Sequence, residues 1–301
     1  MTDFARRTLD ALAEVAVRLG HTPVVSLGDG IFGKDEGKNP AGSVKDRAAF
    51  YIVRDAVASG ALAEGAPVVE ATSGNTGIGL AYICGLVGIR VVLTMPESMS
   101  TERRKMLADY GAELVLTPAA EGMSGAVARA RQIVEEEHGF FADQFGNPSS
   151  VTAHFETTAP EIFAALPGVK AVVAGVGSGG TAMGIKKYIL ENGIDCEVYA
   201  VEPAESPLMS KGFAAPHLIQ GIGANFVPAL VDISAFDGIV TVKGEDAVKE
   251  VGALFRDHGL ASGISSAAAV LAARALRPRV KGDILAVLPD NSERYGEGLY
   301  R

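Results

Sequence analysis

The sequence predicts an α/β protein of two three-layer lobes, each a mostly parallel twisted sheet between helices. Three observations lead there. From residue 43 onward, short continuous apolar runs alternate with amphipathic stretches of helical period, the pattern of βαβ units whose sheets are covered on both faces. That alternation runs twice, interrupted at 139–168 by FGNPSS and a polar stretch. The 36 glycines in 301 residues, about 12% where roughly 7% is usual, follow no period, as expected of tight turns and ligand loops. Ligands lodge outside the carboxyl ends of parallel strands, so the active site is expected in a cleft between the lobes.

Residues 3–19 mix charged with apolar side chains and read as an amphipathic surface helix, not a signal segment. TPVVSLGDGIFGKDE sets strand-like runs on either side of Gly28, Asp29 and Gly30, and its Asp-Gly pair predicts an antiparallel hairpin. Next come helix 43–58, strand 67–71, helix 75–87, strand 90–95, helix 100–110, strand 113–117 and helix 123–138. The interruption carries a short helix around Glu161. Beyond it follow strand 170–174, helix 180–192, strand 196–201, an irregular region 203–231, strand 238–242, helices 244–258 and 265–275, and strand 283–288.

Charge and composition exclude several classes. The net charge is −9 and no basic run exceeds the three residues Arg103, Arg104 and Lys105, so a phosphate backbone has no footprint to bind and no nucleic acid is expected. No apolar run reaches the ~18 residues of a membrane span. Cys84 and Cys196 sit far apart in apolar or strand-like contexts, which fits reduced buried thiols and a cytoplasmic location. The five histidines show no HxxxH spacing, and no metal is expected.

Four segments carry chemistry. Gly175 to Gly180 (GVGSGG) follows a strand, opens a helix and meets G-x-G-x-x-G, with Glu202 ending the next strand. Its backbone N–H groups suit a phosphate, whose identity the spacing leaves open, and a purely structural turn is the alternative. In NPAGSVKDR, Ser43 is a good N-cap, which puts Lys45 in the first helical turn. There the helix dipole and any burial lower an amine's pKa, as Schiff-base chemistry requires; for an isolated lysine, a solvated side chain balanced by Asp46 is the commoner explanation. ATSGNTG, again between strand and helix, gathers hydroxyl and amide donors suited to a carboxylate, beyond what a simple capped turn needs. GISS alone would be a helix cap. Met95, Met99 and Met106 either line the site or, more commonly for such residues, pack in the core.

The ordered set NPAGSVKDR, TSGNTG, LTMPESMSTERRKMLADYGAELVLT, EGMSGA, QFGNP, GVGSGGT, VEPAESP, QGIGANFVP, GISS and LPDNSERY resembles the cysteine synthase (O-acetylserine sulfhydrylase) family of fold-type II, tryptophan synthase β-like enzymes, from about Thr22 to Tyr295. The resemblance implies pyridoxal 5'-phosphate as cofactor. It implies that Lys45 forms the internal aldimine and shuttles the Cα proton, and that Asn75 bonds the cofactor's phenolic oxygen. Thr72, Ser73, Thr76 and Gln144 would hold the substrate α-carboxylate. Gly177, Ser178, Gly179, Gly180 and Thr181 would form the phosphate cup, and Ser265 would partner the pyridine nitrogen. A hydroxyl there makes the ring a weaker electron sink than a carboxylate would, which favours β-elimination over transamination.

The implied reaction is a ping-pong β-replacement by a transferase: acetate leaves O-acetyl-L-serine, and sulfide adds to the aminoacrylate to give L-cysteine. The resemblance also implies a smaller mobile lobe at 43–150 with the carboxylate loop, and a larger lobe from 1–42 and 151–301 with the phosphate cup. It implies a homodimer, and admits the C-terminal tail of serine acetyltransferase as a partner docking into the active site. Departures from the family pattern are Asp143 before Gln144, Ser178 in the cup, Asn225 in QGIGANF, Ala267 after GISS and Ser292 before ERY. They bear on the leaving group and nucleophile more than on the cofactor. An O-phosphoserine-dependent or diaminopropionate-forming synthase would want a cation at the mouth, and residues 221–228 contain no Arg or Lys. An NAD-binding reading leaves NPAGSVKDR and TSGNTG unexplained, and a non-catalytic protein would not need Lys45, Asn75, Gln144 and Ser265 together.

Overall fold

A computed structural model describes residues 1–292 and Tyr295; Glu293 and Arg294 of the LPDNSERY motif lie outside the described residues. Ten strands run in chain order among the described residues: β1 (Val24–Ser26), β2 (Ile31–Asp35), β3 (Val68–Ala71), β4 (Val91–Pro96), β5 (Glu113–Thr117), β6 (Phe140–Phe141), β7 (Val169–Gly175), β8 (Glu197–Pro203), β9 (Gly238–Val242) and β10 (Asp283–Leu288). The chain divides into two compact units, one of Met1–Leu19 with Lys45–Ser150 and the other of Gly20–Val44 with Val151–Arg301. The N-terminal helix therefore groups with Lys45–Ser150, whereas the sequence placed it with the larger lobe. Its buried face, Ala5, Thr8, Leu12 and Val15, packs on helix Lys45–Ser59.

In the first unit, β5, β4, β3 and β6 form an all-parallel sheet in that order. Every residue of β3 and β4 is buried, which fits their apolar character apart from Glu70 and Thr94. Helix Gly122–Glu137 presents Ala126, Ala130 and Ile133 to Val69, Ala71 and Val92 on one face. Helix Asn75–Leu86 packs against helix Lys45–Ser59 at very short range. A Cβ on Gly79 would stand 2.9 Å from the Lys45 carbonyl oxygen and 3.2 Å from Ala49 Cβ.

In the second unit the strand order is β1-β2-β10-β7-β8-β9, parallel throughout except for β1. Side chains alternate between two cores. Ala171, Val173, Tyr199, Val201, Ile284 and Ala286 face helices Gly244–His258 and Ile264–Leu276. Val172, Ala174, Val198, Ala200, Leu285 and Val287 face helices Ala159–Ala165 and Gly180–Glu191. The β1–β2 hairpin turns at Asp29 and Gly30, both at positive φ, as its Asp-Gly pair predicts.

The alternating elements stand within two residues of their expected ends. The structure adds the two-residue strand β6, too short to show a period in sequence, and a π-helical turn at His154–Thr158 between helices Ser149–Ala153 and Ala159–Ala165. Among the described residues no helix is long and apolar enough to cross a membrane.

Replacing Gly79 by Ala is expected to lower stability by ~1–3 kcal/mol, because the new methyl meets backbone that cannot rotate away. Urea unfolding at constant m-value checks it; an unchanged midpoint would show that the two helices separate freely.

Candidate active site

The first unit brings Lys45 and the TSGNTG loop to adjoining helix starts. Lys45 is the first residue of its helix, followed by the buried Asp46 and Arg47. The Lys45 side chain is partly buried, and desolvation lowers its amine from 10.5 to about 8. At pH 7 roughly a tenth is then the neutral nucleophile, against well under a thousandth for an ordinary lysine.

Residues 72–76 turn from the end of β3 into helix Asn75–Leu86. The Thr72 amide donates to the Thr94 carbonyl, continuing the pairing with β4, and Thr72 Oγ1 accepts from the Gly74 amide at 3.2 Å. Gly74 is the N-cap and has no side chain with which to cap the helix start. Thr76 Oγ1 donates to Gln144 Oε1 at 2.6 Å, which joins TSGNTG to the QFGNP segment 68 residues away. Thr72 and Thr76 are buried, while Ser73 and Asn75 are partly open. Ser73 Oγ lies 2.9 Å from Met99 Sδ. Of the three methionines weighed for the site, Met95 is core in β4 and Met99 reaches the loop.

The second unit carries the glycine loop. A Cβ on Gly177 would lie 2.3 Å from the Gly221 carbonyl oxygen, and one on Gly179 would lie 2.3 Å from Val231 Cγ2. Gly179 is the N-cap of helix Gly180–Glu191, at φ +88°. At Gly177 and Gly179 the loop is thus bare backbone under close cover, the construction that lets an anion reach several N–H groups. Ser265 is buried in the first turn of helix Ile264–Leu276, and a Cβ on Gly221 would be 4.0 Å from its hydroxyl. The Gly221 segment therefore adjoins both the glycine loop and Ser265.

Two features here escaped the sequence. His154, one of the five histidines without metal spacing, is buried, and its ring bonds Thr181 Oγ1 through Nε2 at 3.2 Å and Thr158 Oγ1 through Nδ1 at 2.8 Å. Gly184 makes room for it, since a Cβ there would stand 2.6 Å from His154 Cβ. Glu202, the acidic residue that completed a dinucleotide fingerprint, accepts the backbone N–H groups of Met209 and Ser210 at 2.8 and 3.1 Å, so it caps a turn instead of meeting a ribose. Ala267 is fully buried among the apolar residues under the sheet, and Asn225 is exposed.

Comparison with known proteins agrees with this arrangement. Residues 15–290 match the family model described as pyridoxal-phosphate dependent enzyme. The chain is 44% identical over 288 residues to cysteine synthase B of Campylobacter jejuni, covering 94% of this chain and 96% of that protein. It is 41% identical over 303 residues to cysteine synthase of Staphylococcus aureus, covering 97% and 96%. The crystal structure of cysteine synthase from Entamoeba histolytica superposes with a TM-score of 0.90 at 37% identity, covering 96% of this chain and 90% of that one. The chain belongs to the pyridoxal-phosphate dependent enzyme family, and within it is similar to the cysteine synthases.

The lowered Lys45 pKa has a consequence for the cofactor-free protein. Between about 8 and 10.5 the unfolded chain holds a proton at Lys45 that the folded chain has released, so folding stability rises with pH across that window. Lys45→Met is expected to remove this rise. Chemical denaturation of cofactor-free protein across the window checks it, and equal slopes in both proteins would refute the buried amine.

Proposed function

We propose that the chain is a cysteine synthase, converting O-acetyl-L-serine and sulfide to L-cysteine and acetate by β-replacement. Similarity along nearly the whole chain to proteins of that name supports the reading. The observation that carries it is Lys45, a helix-initial lysine whose amine is lowered to about 8 within the NPAGSVKDR motif.

The residues present fit pyridoxal phosphate. A helix start with backbone donors and no Cβ at 177 or 179 suits a phosphate dianion, and a partly neutral lysine suits an aldehyde. In this reading Gly177, Ser178, Gly179, Gly180 and Thr181 hold the phosphate, and His154 holds the Thr181 hydroxyl in place. Asn75 bonds the phenolic oxygen, Ser265 meets the ring nitrogen, and Lys45 is the point of covalent attachment. When bound, the cofactor supplies a sink for the electron pair left as Cα loses its proton.

The chain's own groups supply the rest. Thr72, Ser73, Thr76 and Gln144 fix the α-carboxylate of the amino-acid substrate beside the helix start at Asn75. The Lys45 amine takes the Cα proton as general base. Acetate then leaves Cβ, and sulfide takes its place. The uncharged Ser265 tempers the electron sink, so loss of the β substituent outruns transamination. An O-phosphoserine substrate would need a cation near residues 221–228, where none occurs in sequence. The same family likeness supports a cytoplasmic homodimer, able to receive the C-terminal tail of serine acetyltransferase.

The purified protein is expected to be yellow, to shift its visible band on addition of O-acetyl-L-serine, and to return on addition of sulfide. Lys45→Ala should keep the fold but lose both the covalently bound band and turnover. Turnover unchanged in that variant would sink the assignment, while a yellow protein indifferent to O-acetyl-L-serine would move it to another β-substituted serine. His154→Ala is expected to weaken pyridoxal phosphate binding about fivefold, the ~1 kcal/mol of one net hydrogen bond, as measured by absorbance titration.

A further inference from the structure

We infer that Glu70 is a positioning residue that, through the Gln144 backbone N–H, holds Gln144 in place for the substrate α-carboxylate. The inference rests on the role given to Gln144 above and deepens it. Glu70 lies on β3, opposite Leu93 of β4, and is 3% exposed. Among the described residues no ion pair accounts for a buried carboxylate here. Its Oε1 accepts the Ala71 amide at 3.2 Å and its Oε2 accepts the Gln144 amide at 3.2 Å. Gln144 Oε1 accepts the Thr76 hydroxyl at 2.6 Å, so the residue is held at its main chain by Glu70 and at its side-chain oxygen by Thr76. The side-chain NH2 is then the donor a substrate carboxylate would take.

Glu70 thus ties together the loop after β3, which supplies Thr72 to Thr76, and the segment after β6, which supplies Gln144. The charged group acting on it is Asp143, held at φ +51° immediately before Gln144. Helix Asn75–Leu86 carries only Tyr82 and Cys84 as titratable groups, both pushed up and neutral near pH 7. Helix Gly122–Glu137 turns Ala126, Ala130 and Ile133 inward. Burial, with the Asp143 charge adding to it, raises the Glu70 carboxyl to about 7. When ionised, its two oxygens accept from the Ala71 and Gln144 backbone amides; once protonated, one oxygen becomes a donor and the two amides compete for weaker acceptors, which loosens the hold on Gln144.

The test uses the holoenzyme and two variants. In the wild type the Gln144 backbone amide resonance, followed by NMR with nitrogen-labelled glutamine, is expected to move with a midpoint near pH 7. The KM for O-acetyl-L-serine should rise as pH falls below that midpoint, with a smaller change in kcat. Glu70→Gln should raise KM about tenfold, as for the loss of a hydrogen bond to a charged group, and abolish both pH dependences while leaving the visible cofactor band intact. Lys45 is present in both proteins, so the difference between their profiles belongs to Glu70. Asp143→Asn keeps Glu70 and should shift the midpoint to lower pH. A wild-type KM in Glu70→Gln, or an amide resonance that titrates identically in it, overturns the inference. The amide titration decides the link to Gln144 whatever amino acid the enzyme takes, whereas the wild type's response to O-acetyl-L-serine decides the reading on which the inference rests.

Discussion

The approach of helix Asn75–Leu86 to the Lys45 carbonyl, allowed by the missing Cβ at Gly79, is the contact on which the first unit depends. It fixes the backbone of the reactive lysine against the helix whose first residues are Asn75 and Thr76. A lysine in a first turn faces the positive end of its own helix dipole, and burial adds a larger penalty for its charge. The fold tolerates this because residues 48–57 of the same helix are largely buried, anchoring the element that carries the strain. Stability is thus given up at one side chain and recovered along the rest of its helix.

The second unit solves the opposite problem, room for an anion instead of a hidden amine. Gly177, Gly179 and Gly184 each stand where a methyl would strike a neighbour, and each serves a different purpose. The first lets the Gly221 segment close over the loop. The second provides the left-handed residue that starts helix Gly180–Glu191. The third admits His154 against that helix, and His154 in turn bonds Thr181. A π-helical turn beginning at His154 aligns both of its ring nitrogens with hydroxyl partners, a local irregularity placed beside the candidate site.

Buried carboxylates show how the same residue type takes different work in different surroundings. Glu202 meets two backbone amides at the start of a short turn and serves the backbone. Glu70 meets the backbone of two loops, one of them at Gln144, whose side chain is itself a candidate ligand group, and beside it lies another acid. Only the second arrangement couples a protonation state to the geometry of a binding residue.

The alternation of apolar runs and helical stretches determined the two parallel sheets, since strands buried on both faces must be continuously apolar and the segments between them amphipathic. The order of motifs also determined the family and with it the cofactor, because Lys45, TSGNTG and GVGSGG are local units whose backbone shape follows from glycine and cap placement. Tertiary structure alone decided that the N-terminal helix joins the unit of Lys45, that His154 meets Thr181, that Met99 meets Ser73 and that Glu70 meets Gln144. Those partners lie 26 to 74 residues apart. No local period or spacing encodes such pairs: a lone histidine, methionine or glutamate carries the same signal in the chain whether it packs, caps or positions. What distinguishes them is the neighbour brought up by the sheet, together with the loss of water around it.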